Sequence, residues 1–204
     1  MAGKLTIISS FYNVEPVMPA VHKLGPNKLV LVIHGDEKDS KARAEVKMNI
    51  DKLTSTLGTV MEITVEETNV YDIHATAAKT VKLIEAEKKA GNRVIVNITG
   101  GRKILGLGVL FGAYARADDV ERIVYGAEFD PELVDLPKMG FGVGETKEKI
   151  LEALSNKDKL TVAELAEKVG ITPAMAYVHL RELKTQGYVN DDYEITSAGK
   201  LALL

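Results

Sequence analysis

The stretch Arg93-Val94-Ile95-Val96-Asn97-Ile98-Thr99-Gly100-Gly101-Arg102-Lys103 decides how this chain is read. Arg93 to Ile98 is rich in β-branched apolar residues, the composition of a strand buried in a sheet. Thr99 and two glycines then interrupt it, and Ile104 to Arg116 has the apolar content and length of a helix. Strand, glycine turn and helix make one βα unit whose turn suits an anion. Glycines let the backbone approach a ligand closely, and a helix N-terminus offers unpaired N–H donors with a favourable dipole. Arg102 and Lys103 add positive charge where the dipole disfavours it, so the pair needs a reason beyond helix formation. The competing reading is a tight connection whose glycines serve packing alone. The spacing matches neither the phosphate loop nor the dinucleotide-type glycine triplet, which argues against a nucleoside triphosphate site.

Working outward, the same alternation recurs. Leu5 to Ile8 reads as a first strand with Ser9-Ser10-Phe11-Tyr12 as the loop after it, and Lys28 to His34 as a second strand. Lys41 to Leu57 is helical, with Ala44, Met48, Leu53 and Leu57 roughly on one face, and Gly58 stops it. Val60 to Val65 is a third strand. Asp72 caps a helix that runs through Ala75, Ala78, Val81, Leu83 and Ile84 to Gly91. Arg122 to Ala127 and Glu132 to Leu136 supply the last strands, and Gly106, Gly108 and Gly112 read as a close helix-packing face. Elements recurring every 25 to 35 residues imply βα units, hence an α/β, Rossmann-like, mostly parallel sheet. Such sheets bind ligands beyond the carboxyl ends of their strands, near the switch point. That edge carries Ser9 to Asn13, His34-Gly35, Asn69 to His74, Asn97 to Lys103 and Glu128-Phe129.

Pro137 to Gly144, PKMGFGVG, has no helical period and reads as a linker. The expected division is residues 1–136, a linker at 137–145, and a second domain at 146–204. That domain opens with a helix at Thr146 to Leu154. A second follows from the capping-box sequence Thr161-Val162-Ala163-Glu164 to Gly170, and a third from Thr172 and Pro173 to about Gln186. Tyr188-Val189 and Tyr193-Glu194-Ile195 flank a turn at Asn190-Asp191-Asp192, and Ser197 to Leu204 ends the chain as a short helix. Helix, helix, turn, helix and hairpin is the order of a small winged helix-turn-helix. Its third helix would present Thr172, Ala174, Met175 and Tyr177, with His179, Arg181 and Lys184 beyond, to DNA; Leu180, Leu183 and Ala176 belong to the core. The alternative is a module that dimerises or docks a protein.

Composition narrows the classes. Apolar residues make up 46% of the chain, which fits a globular protein. The absence of cysteine excludes disulfides, thiolate zinc sites and cysteine nucleophiles. His34 and His74 lack a third ligand at metal spacing, so no metal is expected. No signal-peptide pattern or membrane-length apolar run is present, and the expectation is a cytoplasmic protein. The net charge is −3, and from Glu145 onward eight Lys/Arg face ten Asp/Glu. DNA contact therefore has to rely on local clustering of cations.

With strand, turn and cations in place, Asn97-Ile98-Thr99-Gly100-Gly101-Arg102-Lys103 resembles the signature of the CARF domain, the CRISPR-associated Rossmann-like fold. A CARF domain followed by a winged helix resembles archaeal CRISPR-associated transcription regulators, over Lys4 to Leu204. The resemblance implies a homodimer whose two-fold cleft holds a cyclic oligoadenylate, commonly cyclic tetra-adenylate, and a partner in promoter DNA. No cofactor is implied. By position, Asn97, Thr99, Gly100, Gly101, Arg102 and Lys103 would contact the ligand, as would Ser9, Ser10, Phe11 and Tyr12; Asn69 and Asp72 are weaker candidates. A ring with two-fold symmetry meets each donor of a C2 dimer twice. The resemblance also admits an alternative from another class, a metal-independent ring nuclease in which Ser10 and Lys103 help a ribose 2′-hydroxyl attack the adjacent phosphate.

Overall fold

In the computed structural model, residues 3–35, 38–127, 132–156 and 160–204 are described. Its contacts divide the chain into two units, Met1–Gly140 and Phe141–Leu204. No helix among the described residues is long and apolar enough to cross a membrane.

The first unit is built on six strands: β1 (Leu5–Ser10), β2 (Lys28–His34), β3 (Glu62–Thr68), β4 (Arg93–Asn97), β5 (Arg122–Gly126) and β6 (Leu133–Leu136). Their order in the sheet is β3-β2-β1-β4-β5-β6, all parallel except β6, which runs antiparallel to β5. The chain thus winds outward from β1 to β3, then restarts at β4 on the other side of β1. That reversal is the topological switch point, and it sets Ser9 opposite Asn97 at the carboxyl ends of the two central strands. Every residue of β1 is buried, as are Leu29 to Ile33 of β2 and Val94 to Asn97 of β4, as strands covered on both faces require.

Four helices cover the sheet: α1 (Met18–Leu24), α2 (Ser40–Leu57), α3 (Ile73–Lys89) and α4 (Lys103–Ala115). Asp39 caps α2 through Lys41 and Ala42, and Asp72 caps α3 through Ala75. The contact between α3 and α4 is close because α4 presents glycine. A Cβ on Gly108 would stand 2.6 Å from Thr76 Cγ2, and one on Gly112 would stand 2.5 Å from Thr80 Cβ and 2.7 Å from the Ala77 carbonyl oxygen. The packing role expected of these two glycines is the one observed.

Several expectations need correction. β1 extends through Ser9 and Ser10, which are wholly buried, so the anticipated loop begins at Phe11. α1 was not anticipated: Pro16 and Pro19 masked it, although Pro19 occupies its first turn and Gly25 closes it in the left-handed conformation. The inner face of α2 is Ala42, Val46, Ile50, Leu53 and Leu57, whereas Ala44 is exposed and Met48 is 63% exposed. Positions 44 and 48 lie about half a turn from the true stripe. β3 starts at Glu62 rather than Val60, which is 73% exposed. Glu128-Phe129, assigned to the ligand edge, lies outside the described residues.

In the second unit, α5 (Glu145–Ser155), α6 (Val162–Val169) and α7 (Pro173–Thr185) enclose a core of Ile150, Leu151, Leu165, Leu180, Leu183 and Val189. Thr161 and Glu164 form the reciprocal capping box, and Gly170 ends α6 in the left-handed conformation. Thr172 caps α7 through Met175 N–H, with Pro173 at the helix start. The hairpin is reduced to one bridge between Val189 and Ile195. Its tip is organised by Asn190 Oδ1, which accepts from Asp192 and Glu194 N–H. A last helix, α8 (Ser197–Ala202), follows Thr196 as its cap.

Candidate functional site

At the switch point the Thr99–Lys103 turn lies directly on the end of β1. A Cβ on Gly100 would come within 2.6 Å of the Ser10 carbonyl oxygen. Gly101 has φ +79°, and a Cβ there would meet Leu105 at 2.9 Å and the Phe11 backbone at 3.3 Å. The glycines are therefore demanded by protein backbone on their inner side. Among the described residues, the N–H groups of Gly100 and Gly101 donate to no protein acceptor. α4 begins at Lys103 with Arg102 as its N-cap position, and Arg102 supplies no side-chain cap bond. Two cations and unpaired amides at one helix start make an anion-binding arrangement.

The turn is fixed from beneath. Asn97 is fully buried, its Nδ2 donates to Ser9 Oγ at 3.1 Å, and its Oδ1 accepts from Thr99 N–H at 3.2 Å and from Thr99 Oγ1. Thr99 Oγ1 in turn accepts from Gly126 N–H at 2.7 Å, tying the turn to β5. Ser9, Asn97 and Thr99 thus direct their polar groups to one another. Ser10 Oγ is buried with no hydrogen-bond partner among the described residues, and Phe11 is 2% exposed.

Two cavities open beside the turn. One, of about 390 Å³, is lined by Tyr12, Asn13, Pro16 and Thr99 to Arg102. The other, of about 350 Å³, lies at the carboxyl ends of β1 to β3 beside α2, with Phe11, Ile33, Val46, Ile50, Val65, Val70 and Leu105 as its apolar wall and His34, Arg43, Lys47 and Glu67 as its polar groups. Tyr12 and Arg102 border both. Tyr12 is anchored to α2, its hydroxyl donating to Glu45 at 2.8 Å and its carbonyl accepting from Asn49. The Glu45 bond holds the phenol above its ordinary pKa. Arg102 donates to the Tyr71 hydroxyl, with its guanidinium 5.8 Å from the Tyr71 ring centre, and Tyr71 meets His34 edge-on at 5.4 Å.

Of the residues expected around a ligand, Tyr12, Thr99, Gly100, Gly101 and Arg102 line one groove and Lys103 stands exposed next to it. Ser9, Ser10 and Asn97 support the turn from the interior. Asn69 and Asp72 serve local structure, accepting from Tyr71 and Ala75 N–H respectively. Tyr71 lies in the Asn69 to His74 loop expected at the ligand edge but was not singled out there, and Arg43 and Lys47 of α2 were missed because their places depend on which side of the sheet α2 packs. Among the described residues no cluster of His, Asp and Glu forms a metal site.

In the second unit, Ala174, Met175, Tyr177, Arg181 and Lys184 of α7 are all exposed. Val178, not singled out from sequence, is 55% exposed beside Arg181 and Thr185. Lys184 Nζ is 2.9 Å from Asp191 of the hairpin tip. His179 is half-buried, 3.5 Å from Glu182.

A mostly parallel sheet with a cationic glycine turn at its switch point, followed by three helices and a small wing, defines a CARF-like domain joined to a winged helix-turn-helix. Residues 4–129 match the model of the HFX_2341_N-like, N-terminal family, and the chain belongs to that family. Residues 144–190 match the winged helix-turn-helix DNA-binding model. No curated protein matches the chain in sequence. Among solved structures, Can2 from Sulfobacillus thermosulfidooxidans in complex with cyclic tetra-adenylate is similar at a TM-score of 0.51 and 13% identity, over 99% of this chain and 57% of that one. Csm6 from Enterococcus italicus, bound to cyclic hexa-2′-fluoro-hexa-dAMP, gives a TM-score of 0.49 at 13% identity, over 90% of this chain and 55% of that one. A type III CRISPR defence DNA nuclease activated by cyclic oligoadenylate gives 0.48 at 13% identity, over 91% and 34%. The chain spans little more than half the length of the first two of these proteins, and the likeness is one of fold.

Proposed function

We propose that this protein is a homodimeric CRISPR-associated transcription regulator that senses a cyclic oligoadenylate, with cyclic tetra-adenylate as the favoured ring, and binds promoter DNA through its winged helix. The observation that carries the reading is the Thr99–Lys103 turn: Gly100 and Gly101, whose N–H groups have no protein acceptor among the described residues, line an open groove at the switch point together with Arg102, and Lys103 follows at the helix start. Phosphates suit that turn, and the neighbouring apolar cavity of about 350 Å³ has room for an unstacked base. A two-fold dimer doubles both features for a ring of matching symmetry. Sensing requires that the ring bind two states of the dimer with different affinity, and DNA then changes ring affinity by the same factor.

The test is calorimetric titration of the protein with cyclic tetra-adenylate, followed by mass spectrometry of the recovered ligand. Saturation at one ring per two chains with the ring intact is expected. The absence of both heat and thermal stabilisation at high ligand would remove this ring as the signal. Linear or 2′,3′-cyclic phosphate products would put the ring-nuclease alternative first. The position of Ser10 favours binding over turnover, because its hydroxyl is buried and lines neither cavity.

A further inference from the structure

DNA-reading helices usually carry Arg, Lys, Asn or Gln on the side that enters the major groove, since those groups pair with base edges. The first two turns of α7 carry none. From Thr172 to Val178 the sequence is TPAMAYV. Thr172 Oγ1 is engaged in capping the helix, Ala176 is buried, and the outward residues are Ala174, Met175, Tyr177 and Val178. Met175, Tyr177 and Val178 are 48%, 55% and 55% exposed; Tyr177 and Val178 flank the side of the helix that carries Ala174, and Met175 lies about 100° round from it. Charges further along α7 are paired within the module: Glu182 with Lys147 at 3.1 Å, and Lys184 with Asp191 at 2.9 Å.

Resting on the DNA-binding reading above, we infer that α7 recognises thymine-rich DNA through thymine 5-methyl groups, with Ala174, Tyr177 and Val178 as the readers. Thymine is the one base that presents an apolar group in the major groove, so an apolar helix face selects it. Ala174, Tyr177 or Val178, and Arg181 succeed one another at helical spacing on one side of α7. At about 1.5 Å per residue they extend about 10 Å, the length of about three base pairs. Arg181 follows the apolar residues by one turn, where a guanine edge or a phosphate meets it. A protein partner would also cover apolar surface, but the position of α7 as the second helix of a helix-turn-helix, matched to a DNA-binding model over residues 144–190, commits this face to the groove.

The full chain, with and without cyclic tetra-adenylate, is used to select duplexes from a random-sequence library. The best duplex is then remade with deoxyuridine in place of thymidine, one position at a time. Deoxyuridine pairs identically and lacks only the methyl group. Runs of A·T pairs are expected among selected sites, with affinity falling about fourfold per methyl removed, the equivalent of about 0.8 kcal/mol for one buried carbon group. Val178→Ala and Tyr177→Ala, both at exposed positions, should each bring the thymine-to-uracil affinity ratio toward one at a single position. Equal binding of the thymine and uracil duplexes, or selected sites centred on G·C pairs, would overturn this inference and leave DNA binding standing. Retention of no duplex under either condition would overturn both, and would reassign the apolar face of α7 to a protein contact.

Discussion

Lys28, Glu87, Thr6 and Asn92 meet at the amino ends of β1 and β2. Glu87 is 7% exposed, accepts from Thr6 Oγ1 and Asn92 Nδ2 at 2.7 Å, and pairs with Lys28 Nζ at 2.9 Å. Burial alone would raise the Glu87 pKa, but the bonds from Lys28, Thr6 and Asn92 prevail and hold it below the ordinary carboxylate value. The Glu87 bond likewise holds Lys28 above its ordinary value. Because Glu87 is depressed in the folded state, its contribution is present above the unfolded carboxylate pKa of about 4.3 and is lost as pH falls through the lower folded value. Glu87→Gln should therefore cost about 2 kcal/mol near neutral pH, by removing the buried partner of Lys28 and leaving it only the more exposed Glu62 at 3.2 Å, and less near pH 3. Urea unfolding at the two pH values checks this, and an equal loss at both would reject it. At the candidate site, Lys103 is exposed and Arg102 half-buried, whereas Gly100 is buried. Arg102→Ala and Lys103→Ala should each weaken cyclic tetra-adenylate binding about tenfold to a hundredfold, as expected for charged hydrogen bonds, without lowering the melting temperature. Gly100→Ala should instead destabilise the fold, because its Cβ would meet the Ser10 carbonyl.

Among the elements, the pair α3 and α4 shows how the site helix is held. Thr76, Thr80 and the Ala77 carbonyl occupy the space that side chains on Gly108 and Gly112 would need. In an exposed helix, Gly→Ala gains about 1 kcal/mol of propensity. Here the added methyl meets backbone at 2.7 Å, so Gly112→Ala should lower stability by about 1–3 kcal/mol, with its urea midpoint the measure. This packing was legible in sequence, as were all six strands, the turn and the caps at Asp72, Thr161 and Thr172, since each depends on local chemistry. What was not legible depended on tertiary phase. α2 contains more apolar positions than one face can hold, and only the sheet selects Ala42, Val46 and Leu53 over Ala44 and Met48. Ser9 and Ser10 looked like loop residues because small hydroxyls favour turns. They are strand residues because β1 is central, and Asn97 on the neighbouring strand gives Ser9 its partner. The polarity of Ser9 goes into internal bonding, to the Ser10 carbonyl and Asn97.

At the scale of the whole molecule, the charge distribution constrains how DNA can be held. The net charge is −3, and α7 offers Arg181 together with a Lys184 that Asp191 holds at 2.9 Å. DNA affinity falls with salt in proportion to the phosphates neutralised, with a logarithmic slope of about −0.9 per phosphate. A dimer using Arg181 and one further cation from each chain would give a slope of about −3.6, shallow for a regulator, which fits recognition that depends on apolar contact. Asp191→Asn frees Lys184 at the edge of the same helix. It should tighten DNA binding at low salt and steepen the slope by about one phosphate per chain. Fluorescence anisotropy of a selected duplex between about 50 and 200 mM salt measures both quantities. An unchanged slope would place Lys184 away from phosphate. A steep slope in the wild type would mean that cations outside α7, in a protein with an acidic balance, carry the binding, and the apolar face would then contribute specificity without being the main source of affinity.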